Sequence, residues 1–484
     1  LSVDENGNPK QKLYIWHASI MDMDSDFTEL LKSAKNKIFQ SKDSKIKIIS
    51  HIDADGISSA SILSLALDRL KINHDVHFTS LDGMSSSQLG DLTIFLDMGS
   101  GQIDYLMSEH GDKDIIIVDH HQGEYPKTPF LEVNPNKFGY SGSEEVSGSG
   151  LAYLLSLELD SKNKDLSSIA IVGAVGDMQG SWGGLKGLNR DILLDSIETG
   201  LVKAQEDLLL YGRSTRPIYK SLQYFSDPPI PGVTGSDSNA MALLNSLGIP
   251  CYEGDWRTVS DMTSDEKKKL ATEIIRKTIM AVPQEYISFI PQMIMGESYS
   301  LQNEEERSPL RDASEFATCL NACGKNGRPE VGFYVCKGNR GVYYDILLGL
   351  LRKHRQNIAR SMNLVESRGV VMKEKFQYFD GSGINDTIVG TVASLVLGNR
   401  DTDPFLPIVA FTTLANDPNV YKISARCSRL LVLKGLNLGK EIKKSAESVG
   451  GKGGGHPPAC GAYVPIEKLT EFLNIFEENI ATCI

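Results

Sequence analysis

The sequence reads as an α/β protein. A parallel β-sheet domain occupies the first third, a mostly helical insertion the middle, and a smaller α/β domain the C-terminal end. Three observations predict this. Short β-branched apolar runs alternate with helically spaced apolar residues through the first third, the texture turns helical from about Leu201, and α/β character returns near Phe376. At 484 residues the chain is long enough for two to four domains. We divide it at 1–200, 201–365 and 366–484.

The elements follow in order. Lys45–Ser50 is a buried strand, and Gly56–Leu70 carries apolar residues at helical spacing. Val76–Thr79, Leu92–Leu96 and Ile115–Val118 are further short apolar runs bounded by turn residues. Such βαβ alternation argues for parallel strands covered by helices on both faces. Ser167–Val175 is a buried helix or strand, and periodicity does not separate the two. Pro217, Pro228, Pro229 and Pro231 mark a boundary or elbow. Thr263–Ala281 and Asp345–Met362 read as long amphipathic helices. Pro407–Thr412 and Val420–Arg426 then resume the α/β pattern, ahead of a glycine-rich segment at Gly450–Gly455.

Composition narrows the class without naming a substrate. With 41% hydrophobic and 23% charged residues, a packed core is feasible and global disorder is excluded. No apolar run is long enough to span a bilayer, and the polar start, Leu1 to Lys12, has no signal-peptide core. The seven cysteines are scattered and form no C-x-x-C pair, so free thiols in a reducing, cytoplasmic setting are expected. Cys319 and Cys323 stand one helical turn apart with no second pair to complete a zinc site. A net charge of −12 speaks against a basic nucleic-acid binder. It leaves room for an enzyme that gathers basic groups locally around a cleft.

The acids fall where chemistry needs them. The first strand runs into His51-Ile52-Asp53-Ala54-Asp55-Gly56, the third apolar run ends in Leu96-Asp97-Met98-Gly99, and the fourth ends in Val118-Asp119-His120-His121. A fourth element ends in Gly176-Asp177-Met178. In an open parallel sheet, ligands bind beyond the carboxyl ends of the strands, so these side chains converge on one rim. Asp53 and Asp55 share one side of an extended segment by period-two alternation. Carboxylates so gathered repel one another unless cations lie between them. Two cations roughly 3.5–4 Å apart would relieve that repulsion and acidify a water between them. Oxygen and imidazole donors suit Mn²⁺ or Mg²⁺. A lone Asp after a strand is often only a turn or a helix cap. The joint occurrence of four such elements is what favours a metal site.

The strings HIDADG, LDMG, VDHH and GDMQG resemble the four motifs of the DHH phosphoesterase superfamily. The tail Gly453-Gly454-Gly455-His456-Pro457-Pro458-Ala459-Cys460-Gly461 resembles the glycine-rich motif of that family's DHHA1 substrate-binding domain. The stretch Ser308–Ala313, Glu315–Ala317 and Leu320–Gly324 is similar to one in archaeal RecJ-like nucleases, including the GINS-associated nuclease. The resemblance implies a DHH domain and a DHHA1 domain with the active site in the cleft between them. It implies that Asp53, Asp55, Asp97, His120 and Asp177 hold two divalent metal ions, Mn²⁺ ahead of Mg²⁺. His51 is a further ligand candidate. It also implies that His121 faces the bound phosphate, that Asp119 orients the adjacent histidines, and that Arg426, Gly453, Gly454, Gly455 and His456 bind substrate.

The expected activity is stepwise hydrolysis of single-stranded DNA or RNA from an end, in replication or repair, with GINS and the replicative helicase as partners and no membrane. The rival readings are a small-molecule phosphodiesterase or pyrophosphatase, and a largely structural helicase subunit. The basic run Arg352-Lys353-His354-Arg355 with Arg360, and Lys440, Lys443 and Lys444, read as solvated helix faces. The aromatic residues are spread too evenly to nominate a base-stacking platform.

Overall fold

Five parallel strands form the first sheet: β1 (Ile46–His51), β2 (His74–Thr79), β3 (Leu92–Leu96), β4 (Asp114–Val118) and β5 (Leu131–Val133), in the order β2-β1-β3-β4-β5. The computed structural model describes residues 23–123, 126–181, 183–399, 401–414 and 417–483, so the polar start Leu1–Lys12 lies outside the described residues. The strands expose alternate residues to two apolar layers, as a twofold side-chain period requires. Ile46, Ile48, Ile94, Leu96, Ile116 and Val118 face the larger core. It is covered by α1 (Ser25–Gln40) and α2 (Ala54–Arg69). Ile49, Phe95, Ile115 and Ile117 face the other side, where α3 (Ile103–His110) lays down Ile103 and Leu106. The helices α4 (Gly148–Leu159) and α5 (Ser167–Gly176) complete the larger layer against α2, and α6 (Gly187–Glu198) packs on α5. The chain passes from β1 through α2 to β2, then crosses back to begin β3 on the far side of β1. That reversal opens a crevice beyond the carboxyl ends of β1 and β3.

The segment whose periodicity was ambiguous is the helix α5. It is apolar almost throughout because α2, α4 and α6 surround it. Its Gly173 presses on Ser149 and Asp55, so a Cβ there would overlap both side chains.

The middle begins with β6 (Val202–Leu208), which pairs antiparallel with β7 (Met295–Leu301). Between them lie α7 (Ile218–Gln223), α8 (Asp237–Ser246), α9 (Ser264–Ile279) and α10 (Ile290–Ile294). These helices enclose their own core around Leu208, Ile218, Leu222, Leu244, Ile274 and Ile290. The proline-rich stretch, read as a boundary or elbow, instead lies inside this body. Pro217 stands at the start of α7, and Phe225 and Ile230 join the same core. After β7, the helices α11 (Ala313–Lys325), α12 (Pro329–Cys336) and α13 (Val342–Arg368) return to the first core through Phe316, Leu320, Val331 and Leu347. All seven cysteines are free, and Cys319 and Cys323 are buried in α11.

The last sheet contains β8 (Val371–Met372), β9 (Gln377–Asp380), β10 (Ile408–Thr413), β11 (Val420–Arg426), β12 (Lys452–His456) and β13 (Ala459–Pro465), in the order β12-β13-β11-β10-β9-β8. Only β9 and β10 pair in parallel. One face is covered by α14 (Val389–Val396), and the other by α16 (Leu438–Ser448) and α17 (Leu469–Ala481). The short α15 (Arg429–Leu433) leads from β11 into α16. The glycine-rich segment is the edge strand β12, because Gly453–His456 keep register with Ala459–Ala462 of β13. Arg429 ties the three regions together. Its Nε lies 2.9 Å from Asp227 Oδ2, Nη2 donates to the Asp227 carbonyl at 2.7 Å, and Nη1 donates to the Ser181 carbonyl at 2.6 Å. Among the described residues, no helix is long and apolar enough to cross a membrane.

Candidate metal centre

The two aspartates after β1 do share one site, but not through strand alternation. Asp53 caps α2, its Oδ1 accepting the Gly56 N–H at 3.0 Å, and Asp55 lies in the first helical turn. An Asp followed three residues later by an unhindered N–H starts a helix sooner than it extends a strand. Asp53 Oδ2 lies 2.9 Å from His51 Nδ1. Burial pushes the Asp53 carboxyl up, but His51 and the Gly56 N–H together hold it well below the usual range. Asp55 is buried, and accepts N–H groups from Gly148 at 2.6 Å and Ser149 at 3.0 Å at the start of α4. Burial and the neighbouring Asp97 charge push its carboxyl up to about 6.

Asp97 follows β3 with φ of +57°, in the left-handed region that Asp tolerates better than most residues. It is 1% exposed. Gly148 passes so close that a Cβ there would sit 2.9 Å from Asp97 Oδ1. After β4, Asp119 turns inward and accepts the Ser100 N–H at 2.9 Å and His121 Nδ1 at 2.8 Å. Burial opposes the Asp119 charge, yet His121 holds the carboxyl below its usual range. Asp119 thus positions His121, while Gly142 positions His120. His120 Nδ1 lies 2.5 Å from the Gly142 carbonyl, which only accepts, so Nδ1 carries the proton. Asn136 Nδ2 donates to the His120 carbonyl at 2.8 Å, and a Cβ at Gly142 would overlap that same carbonyl.

Asp177 is delivered by the end of α5, where Gln179 Nε2 donates to its Oδ2 at 2.8 Å. The cluster now closes. The groups Asp97/His120/His121, His51/Asp53/Asp97 and Asp55/His120/Asp177 each bring their ligand atoms within 4.8 Å of one another. Two features of this set fit cations. His120 Nε2, with its proton on the other nitrogen, faces Asp97 Oδ1 at 3.1 Å and Asp55 Oδ2 at 3.7 Å. A lone pair opposed to two carboxylate oxygens is stable only with a proton or a cation between them. Asp97 Oδ2 is also buried and accepts no hydrogen bond among the described residues. Oxygen and imidazole donors of this kind suit Mn²⁺ and Mg²⁺.

The C-terminal sheet faces this cluster. The His456 ring lies 5.8 Å from that of His121. Gly455 adopts φ of +135°, a conformation reserved for glycine, and Gly454 has open space where a Cβ would stand. Gly453 packs on Ala462. Arg426 lies further back, over Gly390, donating to the carbonyls of Ala425 at 2.7 Å and Cys460 at 3.1 Å. Burial lowers its affinity for a proton, and no described acid pairs with it.

Sequence reasoning missed several residues here. Lys325, at the end of α11, donates to Thr391 Oγ1 at 2.8 Å, and burial with the Arg426 charge lowers its pKa to about 8. Asn321 Oδ1 accepts the Ala54 N–H at 3.0 Å, and Gly324 lies against the Ile52 carbonyl. Gly148 and Ser149 had a signal, the Gly-Ser-Gly of residues 148–150, that reads naturally as a helix start approached by an acid. Arg352, Lys353, Arg360, Lys440, Lys443 and Lys444 are exposed as expected, but His354 is buried and Arg355 half-buried.

Comparison with known proteins agrees with the fold. Residues 45–176 match the DHH family N-terminal domain, 210–290 the DHH-CID domain and 372–482 the DHHA1 domain. An uncharacterized protein of Methanocaldococcus jannaschii is 30% identical over 479 residues, covering 95% of this chain and 99% of that one. A putative prophage-derived single-strand DNA-specific exonuclease of Bacillus subtilis is 25% identical over 166 residues, 32% of this chain and 27% of that one. Among solved structures, RecJ of Thermus thermophilus in complex with Mn²⁺ matches with a TM-score of 0.57 at 17% identity, over 94% of this chain. This chain spans 55% of the length of that RecJ. CDC45 of Entamoeba histolytica matches with a TM-score of 0.60 at 14% identity, over 94% of this chain and 99% of that one.

Proposed function

We propose, from the premise that this chain belongs to the DHH family and joins a DHH domain to a DHHA1 domain, that it is a metal-dependent exonuclease for single-stranded DNA or RNA. The observation that carries the reading is the set Asp53, Asp55, Asp97, His120 and Asp177, of which Asp55, Asp97 and His120 are buried, with an Asp97 oxygen that accepts no hydrogen bond, opposite Lys325 and Arg426, which form no ion pair among the described residues. We assign those five residues, with His51 as a sixth, to two divalent cations, Mn²⁺ before Mg²⁺. Bound there, such cations acidify water and offset the charge that develops on the phosphoryl oxygens.

The protein's own groups place the substrate. Burial disfavours the charged form of His121, but Asp119 more than compensates, so its imidazolium can donate to a phosphoryl oxygen. His456 donates from the opposite wall. Arg426, Lys325 and the open backbone at Gly454 hold the neighbouring phosphate, which fixes the scissile bond over the acids. In this reading residues 1–200 carry the chemistry, 366–484 grip the substrate, and 201–365 line the approach. The Bacillus relative's description as a single-strand DNA-specific exonuclease, and the presence of Mn²⁺ in the RecJ structure, support the substrate and the metal.

The likeness to CDC45 supports a second reading, a largely structural subunit of the replicative helicase that binds GINS. The intact acid cluster favours catalysis, and docking is compatible with it. The test is to add Mn²⁺ or Mg²⁺ to metal-stripped protein with 5′- or 3′-labelled single-stranded DNA and RNA, beside Asp97→Asn. Stepwise shortening that needs metal and disappears in the variant is expected. Failure to cut any oligomer by folded, metal-loaded protein would overturn the reading in favour of a small-molecule substrate or a scaffold.

A further inference from the structure

We propose that the substrate strand leaves the acid cluster along a groove lined by Lys325, Arg355 and Arg216, and that this groove favours polynucleotides several residues long over dinucleotides. The inference rests on the nuclease reading and extends it from the scissile bond to the rest of the strand.

One helix holds the groove together. Lys325 closes α11 beside the acid cluster, and Arg355 lies on α13, which packs against α11. At the other end of α11, Asp312 accepts from Arg213 at 3.0 Å. Glu315 accepts the Ser214 N–H at 2.7 Å and the Thr215 hydroxyl. These bonds fasten the loop Tyr211–Arg216 to the first turn of the helix. The 13 residues of α11 span about 20 Å at 1.5 Å each, room for several successive phosphates between Lys325 and that loop.

Lys325 Nζ donates to Thr391 Oγ1 and feels the Asp53 charge, but no carboxylate bonds it directly among the described residues. Among the described residues, none of the three forms an ion pair, and Arg355 Nε is buried without a hydrogen-bond partner. Glu315 acts electrostatically on Arg216 and Arg355, but its oxygens are occupied by Ser214 and Thr215. The Arg216 guanidinium lies over two rings, 4.7 Å from the centre of Tyr211 and 5.1 Å from that of Tyr224. These cation–π contacts restrain the guanidinium without engaging its N–H donors, which form no side-chain hydrogen bond among the described residues. Tyr224 is 46% exposed, so a base can stack beside the phosphate that Arg216 holds. Burial, with the charges of Lys325 and Arg355, lowers the His354 pKa to about 4, which keeps the line from gaining another cation. A row of mutually repelling cations is what a polyanion relieves. A dinucleotide anchored over the acids would reach Lys325 and leave Arg216 untouched.

The test uses the full chain in EDTA, where nothing is cut. Fluorescein-labelled pTpT, dT20 and U20 are titrated over a salt series and read by anisotropy. Arg216→Ala and Arg355→Ala are each expected to weaken dT20 binding about tenfold. Each should also flatten log Kd against log salt by about 0.7 and change pTpT binding less than twofold. Arg355→Lys should recover most of the loss, and unchanged thermal unfolding excludes misfolding as the cause. Equal weakening of pTpT and dT20, or an unchanged salt slope, overturns the groove. Relative affinity for dT20 and U20 shows which sugar the groove prefers, and weak binding of both by the wild type also overturns it. With Mn²⁺ restored, variants that digest dT20 at the wild-type kcat/KM sink the groove and spare the nuclease. A wild type that binds dT20 steeply with salt but cuts nothing sinks the nuclease reading instead.

Discussion

At the scale of single residues, the site is built by close approach as much as by its acids. Gly142 is needed because its carbonyl must reach His120 Nδ1 while its α-carbon passes the His120 carbonyl. Gly142→Ala forces these groups apart and is expected to cost about 1–3 kcal/mol, read as a lower urea midpoint. Mn²⁺ affinity should fall with it, since His120 loses its orienting partner. The repulsion among Asp53, Asp55 and Asp97 makes a second expectation. A hundredfold excess of Mn²⁺ over its Kd should stabilise the wild type by about 2.7 kcal/mol, seen as a rise in Tm. Asp97→Asn should lose most of that rise while melting no lower than the wild type in EDTA, because it removes one like charge. A variant that kept the full rise would remove Asp97 from the ligand set.

At the scale of elements, two buried ion networks hold the middle body in place. Arg213 is 4% exposed and joins Asp207 at 2.5 Å to Asp312 at 3.0 Å. Arg213→Ala leaves the buried Asp312 without a cation among the described residues and Asp207 with Lys267 alone, 2.7 Å away, so a loss of about 3 kcal/mol is expected by chemical denaturation. Arg257 and the Thr263 N–H both bind Glu266 and, against the opposing effect of burial, hold its carboxyl at about 2, below an ordinary 4.5. Between these values the unfolded chain binds the proton and the folded chain does not. Stability therefore rises with pH across that window and is lost as pH falls through it. Glu266→Gln should flatten this part of the stability profile, measured by urea unfolding at successive pH values.

The elements that could be read from sequence were those whose cause is local. Strands β1, β3 and β4 announced themselves by apolar runs ending in acids, and α9 and α13 by helical spacing. Elements decided by distant partners were not legible. The glycines of β12 read only as a glycine-rich segment, and pairing with β13 is what makes them a strand. The prolines near Pro228 read as an elbow until the core around Ile230 and Leu244 encloses them. The same holds within the site. Asp53 and Asp55 were visible, whereas Asn321 reaches Ala54 from 267 positions away, and no local pattern marks such a contact.

At the scale of the whole molecule, Arg429 bonds the first region at Ser181 and the middle at Asp227 from a base in the last. Arg429→Ala is expected to cost about 2–3 kcal/mol and to loosen the cleft. The measurements are a larger radius of gyration by X-ray scattering and a higher KM with kcat nearly unchanged. A variant with the wild-type radius and KM would show that the apolar contacts alone set the domain approach. The left-handed backbone at Asp97 has a consequence for descent as well. Most side chains are strained there, whereas Asn and Gly are not. A lineage that gave up cleavage and kept this fold for assembly would pass most readily through Asn or Gly at that position. The imprint of a former enzyme would then be legible in its scaffold descendants as one small residue after the third strand.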